Sequence, residues 1–168
     1  MDITLAEGLC AAGLLVASVT DLRDKKIYNW LTFPMIALGI AFHSTLGQGW
    51  AFALVGLAAA FALHFFLWIV KVERAGDAKL AMGIGALLGW SFMLESTLWT
   101  LVLLIPIGLA VLGFRGKLGN LAKVAHFIVA KAQGAKPKDP PPLTLMAFGP
   151  TMAVAALVAW LTEWLHLW

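Results

Sequence analysis

Six long apolar runs, joined by short polar connectors, decide most of what this chain can fold into. They cover residues 3–20, 29–46, 50–70, 79–94, 97–114 and 143–167. A helix crosses the roughly 30 Å hydrocarbon core of a bilayer with about 20 largely apolar residues. Of the 168 residues, 61% are hydrophobic and only 12% charged, whereas soluble domains run about 45–50% apolar and about 25% charged. The expected fold is therefore all-α: a polytopic membrane protein with six transmembrane helices in a single membrane-embedded domain, residues 1–168. The first run is not expected to be a cleaved signal peptide, because "MDITLAEG" carries acid where a positive segment belongs.

The basic residues set the orientation. The connector between the first two runs holds Arg23, Lys25 and Lys26, and the third-to-fourth holds Lys71, Arg74 and Lys79. The fifth-to-sixth holds Arg115, Lys117, Lys123, Lys131, Lys136 and Lys138, which completes all 12 Lys and Arg of the chain. Positive connectors stay on the cytoplasmic side, so both termini are expected outside. The net charge of +3 is explained by orientation, and no nucleic-acid partner is expected. Trp50, Trp90, Trp99, Trp164 and Trp168 fall near outer ends and Trp30 and Trp68 near inner ends, as interfacial anchors do. In the longest connector, "GKLGNLAKVAHFIVAKAQG" spaces Leu118, Leu121, Ala125, Ile128 and Val129 at helical intervals among lysines. That pattern suits an amphipathic helix in the headgroup plane, with membrane lipid as its partner.

The remaining reactive side chains are quickly weighed. Cys10 is the single cysteine, so a disulfide framework or a multi-cysteine zinc site within the chain is excluded. His43, His126 and His166 show no metal-like spacing. His64 lies about 10 Å inside the third run and reads as a packing histidine with a hydrogen-bond partner. Neither metal nor cofactor is expected.

Two acids stand out against this background. Asp21 closes the first run and Asp77 opens the fourth, both at the cytoplasmic surface. Ionisable groups at membrane depth are costly and point to function. Two carboxylates held close and partly out of water cannot both ionise easily. Such a pair can hydrolyse an amide, one member taking a proton from water while the other polarises the carbonyl. The residues alone leave open a plainer arrangement, in which each acid pairs with a neighbouring Arg or Lys.

"TDLRDKKIYNWLT", "RAGDAKLAMGIGALLGW" and "LMAFGPTMAVAAL" resemble, in order, the three conserved segments of the type IV prepilin peptidases, which are intramembrane aspartic peptidases of the Gly-x-Gly-Asp type. The resemblance implies a prepilin leader peptidase of the bacterial inner membrane, acting at the cytoplasmic face on prepilin or pilin-like substrates. It implies Asp21 and Asp77 as the catalytic pair, with Asp24 as the rival to Asp21. By the same resemblance Gly76, Lys79, Asn29, Arg74, Phe148, Gly149 and Pro150 occupy supporting positions. Larger members carry a Cys-x-x-Cys insertion linked to N-methylation; its absence here implies the minimal form, without zinc.

This sequence departs from the family pattern at three places. Arg74 replaces the first motif glycine, Tyr28 the proline before Asn29, and Ala147 the first proline of the last segment. A guanidinium is expected close to Asp77, favouring the ionised member of the pair, or binding a substrate carboxylate. Two other functions use the same residues. A small transporter would use Asp21 and Asp77 as a proton or cation site, and a non-catalytic pilus or secretion subunit would tolerate their loss.

Overall fold

A computed structural model describes residues 4–69, 73–114, 116 and 148–166. Its described elements are helices: α1 (Leu5–Asp24), α2 (Asn29–Thr45), α3 (Trp50–Ile69), α4 (Ala75–Phe114) and α5 (Phe148–His166). Residues Met1–Val102 together with Ala147–Trp168 form one compact unit, and Leu103–Met146 form a second. Every contact described below lies in the first. The amphipathic helix expected over residues 116–134 lies, beyond Gly116, outside the described residues.

The helix ends follow local chemistry. At the start of α1, Thr4 and Glu7 form a reciprocal capping box, which satisfies two of the N–H groups a helix start leaves unpaired. At its end, Lys25 turns left-handed, with φ 56°, and its N–H donates to Asp21 O at 3.1 Å. The expected first run stopped at residue 20. The polar "DLRD" continues the helix instead, because its backbone bonds close as those of the apolar turns do.

α1 packs against α2 and α5, and α2 against α3. Gly56 of α3 lies against the backbone of Gly85 of α4, where a Cβ on either would collide with the other's carbonyl. Small residues allow such close approach where lipid offers helices no hydrophobic reason to associate. Large apolar side chains point outward, among them Leu15, Val19, Phe33, Phe66 and Leu98. Among the described residues, three helices are long and apolar enough to cross a membrane: Leu5–Asp24, Trp50–Ile69 and Ala75–Ala110. The chain is thus an all-helical protein of multi-pass membrane type among its described residues.

The expected division between the fourth and fifth runs needs correction. Residues 91–97, "SFMLEST", were expected to include a loop, but they are helical. Ser96, Thr97 and Thr100 donate their hydroxyls to Met93 O, Met93 O and Ser96 O, so these polar side chains are satisfied within the helix. The break falls at Gly89, with φ 84° and ψ 175°. Straight, the 40 residues of α4 would run about 60 Å, twice a bilayer core. Breaking the helix frees carbonyls, and His43 of α2 answers one of them. Its Nδ1 accepts the Gln48 N–H at 3.2 Å, which leaves the proton on Nε2 to donate to Leu87 O at 2.9 Å.

Candidate active site

α1 ends where α2, α4 and α5 begin, and the polar residues of the chain's motifs collect at that end. Asp21 is 1% exposed. Its Oδ2 accepts the Gly149 N–H at 2.9 Å, and its Oδ1 lies 3.5 Å from Arg74 Nη1. The Gly149 N–H is one of the unpaired donors of the first turn of α5, so Asp21 caps that helix from across the bundle. The positive end of the helix dipole also faces the carboxylate. Gly149 has to be small, because a Cβ there would stand 3.2 Å from Asp21 Cβ and 3.1 Å from Ala17 O. Phe148 is buried beside it. Pro150 follows in the first turn, where a missing N–H costs nothing.

Asp77 is 2% exposed and sits three residues after Arg74. The Arg74 carbonyl accepts the N–H groups of Asp77 and Ala78, at 3.0 and 3.2 Å, which makes Arg74 the residue that starts α4. Asp77 Oδ2 in turn accepts the Arg74 backbone N–H at 3.0 Å, half of a capping box. Neither buried carboxylate lacks a donor, as burial of a charge-bearing group requires.

The Arg74 guanidinium is near enough to act on Asp77, as expected, but its closest carboxylate is Asp21, and its Nη1 donates to Lys25 O at 2.8 Å. Its Nη2 is buried and has no hydrogen-bond partner among the described residues. Arg74 therefore touches both aspartates, one through its backbone and the other through its side chain. Gly76 lies against Ile27, where a Cβ would stand 3.2 Å from the Ile27 Cβ. Lys79 Nζ donates to Asn29 Oδ1 at 2.9 Å and lies over the Phe33 ring at 5.4 Å; this pair ties the start of α4 to the start of α2. Asp24 is exposed, accepts the Tyr28 hydroxyl at 3.2 Å, and pairs loosely with Arg23 at 3.8 Å.

These elements enclose a cavity of about 370 Å³ lined by Asp21, Asn29, Arg74, Gly76 and Asp77, with the 25–28 turn as its other wall. Asp24 is not on its lining. A cavity with two buried carboxylates, a free guanidinium nitrogen and water access has the parts for general acid–base hydrolysis. One neighbour of the site was not anticipated. Glu73 is buried and bonded to His64, and only its place in the charged stretch before the Asp77 motif signals it.

The sequence model of the type IV leader peptidase family matches residues 8–109, a span that includes Asp21 and Asp77 and stops short of Phe148–Pro150. A preflagellin peptidase of Methanococcus voltae is 26% identical over 161 residues, 90% of this chain and 69% of that protein. A prepilin leader peptidase/N-methyltransferase of Burkholderia pseudomallei is 31% identical over 121 residues, 67% of this chain and 38% of that protein. A preflagellin peptidase of Methanocaldococcus jannaschii is 33% identical over 84 residues, covering 46% of this chain and 36% of that protein. The match thus spans between 36% and 69% of these relatives' lengths. No solved structure matches the chain. With the match covering more than half of its residues, this chain belongs to the type IV leader peptidase family.

Proposed function

We propose that this chain is an aspartic endopeptidase that removes the leader from prepilin-like or preflagellin-like subunits at the cytoplasmic face of the inner membrane. Asp21 and Asp77 are its catalytic pair, and six spans carry it with both termini outside. The observation that carries the reading is the shared cavity: two carboxylates, each almost wholly buried, line one opening at a single end of the bundle. Buried acids with only a capping role need no such opening.

The chemistry follows from two carboxyls sharing one proton. The ionised member takes a proton from water, whose oxygen attacks the scissile carbonyl carbon. The protonated member hydrogen-bonds to the carbonyl oxygen, where charge develops, and the departing amine takes the proton first drawn from water as the C–N bond breaks, which returns the pair to its starting state. No covalent enzyme intermediate is needed. Arg74 holds Asp21 and the Asp77 turn together. A substrate anchored by its own apolar helix presents its leader junction at the level of this cavity.

The test is cleavage of a co-expressed pilin-like precursor, scored by product mass, with Asp21→Asn and Asp77→Asn alongside. Either change is expected to lower kcat by at least about 10²–10⁴-fold, the usual contribution of a positioned acid or base. Cleavage that survives Asp21→Asn but not Asp24→Asn would move the role to Asp24. Undiminished cleavage in Asp77→Asn would end the dyad reading.

A further inference from the structure

Three buried polar side chains, one of them Glu73 just before Arg74, have no part in that reaction. His64 of α3 is 1% exposed, Glu73 is 7% exposed, and Thr97 of α4 is 4% exposed. His64 Nδ1 lies 3.0 and 2.9 Å from the two carboxylate oxygens of Glu73. Its Nε2 lies 3.0 Å from Thr97 Oγ1. Thr97 gives its hydroxyl proton to Met93 O at 2.7 Å, so the proton on the Thr97–His64 line belongs to Nε2.

The order Thr–His–Glu is that of a nucleophile, a base and an orienting acid. Yet all three are buried, and none lines the cavity that holds Asp21 and Asp77. No substrate reaches Thr97 Oγ1 there. What the three share is location. Glu73 directly precedes Arg74, whose backbone starts α4 and bonds the Asp77 carboxylate. His64 anchors that carboxyl to α3, and Thr97 anchors His64 to α4 beyond its break at Gly89.

A buried pair like this is weak ground for stability, because desolvation often cancels the attraction between its members. Apolar residues of similar volume usually serve stability as well or better. The better-attested use of such a pair is to fix one register among several. We propose that His64, Glu73 and Thr97 are positioning residues: they lock the Glu73–Asp77 turn to α3 and thereby hold the Asp77 carboxylate where the reaction requires it. The inference rests on the peptidase reading above. A carboxylate displaced by about 1 Å forfeits on the order of 10²-fold in rate, so loosening this anchor should act on kcat.

The experiment uses the full chain in proteoliposomes with a pilin-like precursor, and measures kcat, KM and thermal unfolding for each variant. In His64→Leu/Glu73→Leu, the unfolding temperature is expected at or above that of the unmodified protein. Its kcat is expected to fall about 10- to 100-fold, with KM within twofold. Thr97→Val should lose several-fold in kcat, and Thr97→Ser, which keeps the hydroxyl, should restore it. A double-leucine variant with unchanged kcat overturns the proposal, as does a loss that merely follows the folded fraction. Should the double-leucine protein fail to fold, Glu73→Gln and Thr97→Val decide by the same kcat criterion. If the unmodified, folded chain cleaves none of several precursors, the peptidase reading fails first and takes this proposal with it.

Discussion

Gly149 offers the most direct test of how the candidate site is built, because a single hydrogen there stands where a methyl would press on Asp21. A Cβ at Gly149 would lie 3.2 Å from Asp21 Cβ, while carbon atoms settle at roughly 3.5–4.0 Å. Gly149→Ala therefore asks α5 to retreat from α1 by about 0.4 Å, at a cost of about 1–3 kcal/mol for the added bulk. If about 1 Å of misplacement costs on the order of 10²-fold, then about 0.4 Å scales to roughly sixfold in kcat. Gly149→Leu cannot be met by so small a shift and should lose at least about 10²-fold. Gly8→Ala is the control on the same partner helix, since nothing lies within 4 Å of its added Cβ. It should leave kcat unchanged and raise stability by up to about 1 kcal/mol. The assay is precursor cleavage at saturating substrate, normalised to folded protein. Wild-type kcat in Gly149→Leu would refute the claim that the Asp21–Gly149 contact sets the catalytic geometry.

Two other changes bear on neighbouring features. Arg74→Gly restores the family's usual glycine and removes a guanidinium whose side chain is 31% exposed. Asp21 is itself buried but keeps the Gly149 N–H as a donor, so loss of one charge-assisted contact of about 1.5 kcal/mol should lower kcat/KM for precursor cleavage by about tenfold. A hundredfold loss would instead mean that Nη2 acts on the reacting carbonyl. His43→Ala strips a buried donor from Leu87 O and an acceptor from the Gln48 N–H, and should cost about 1–3 kcal/mol in thermal unfolding. Because His43 lies near the end of α2 remote from Asn29, kcat of the folded fraction should be preserved; a selective loss of kcat would contradict that placement.

Length and hydropathy made α1, α2 and α3 legible to within a few residues, because an apolar run bounded by charge has little other choice. The same signals misplaced the break in α4. "SFMLEST" looks like a connector only if its hydroxyls need water, and they are bonded to helix carbonyls instead. Asp21 and Asp24 could be ranked from sequence but their surroundings could not be seen, since burial of Asp21 depends on Gly149, 128 residues away. The pairing of the Arg74 guanidinium with Asp21, added to its backbone bond to Asp77, was hidden for a related reason, since it needs α1 and the start of α4 side by side. Glu73 escaped notice because its partner, His64, is brought to it only by packing.

The bond between Asp21 and Gly149 also times the protein's own assembly. Its two halves are separated by 128 residues, which a ribosome working at about 5–20 residues per second takes roughly 6–26 s to add. Through that interval the first helix has emerged while the donor that holds its carboxylate has not been made. A newborn chain thus carries Asp21 without its Gly149 donor until α5 is made, and α1 and α5 then meet as a clasp on that one bond.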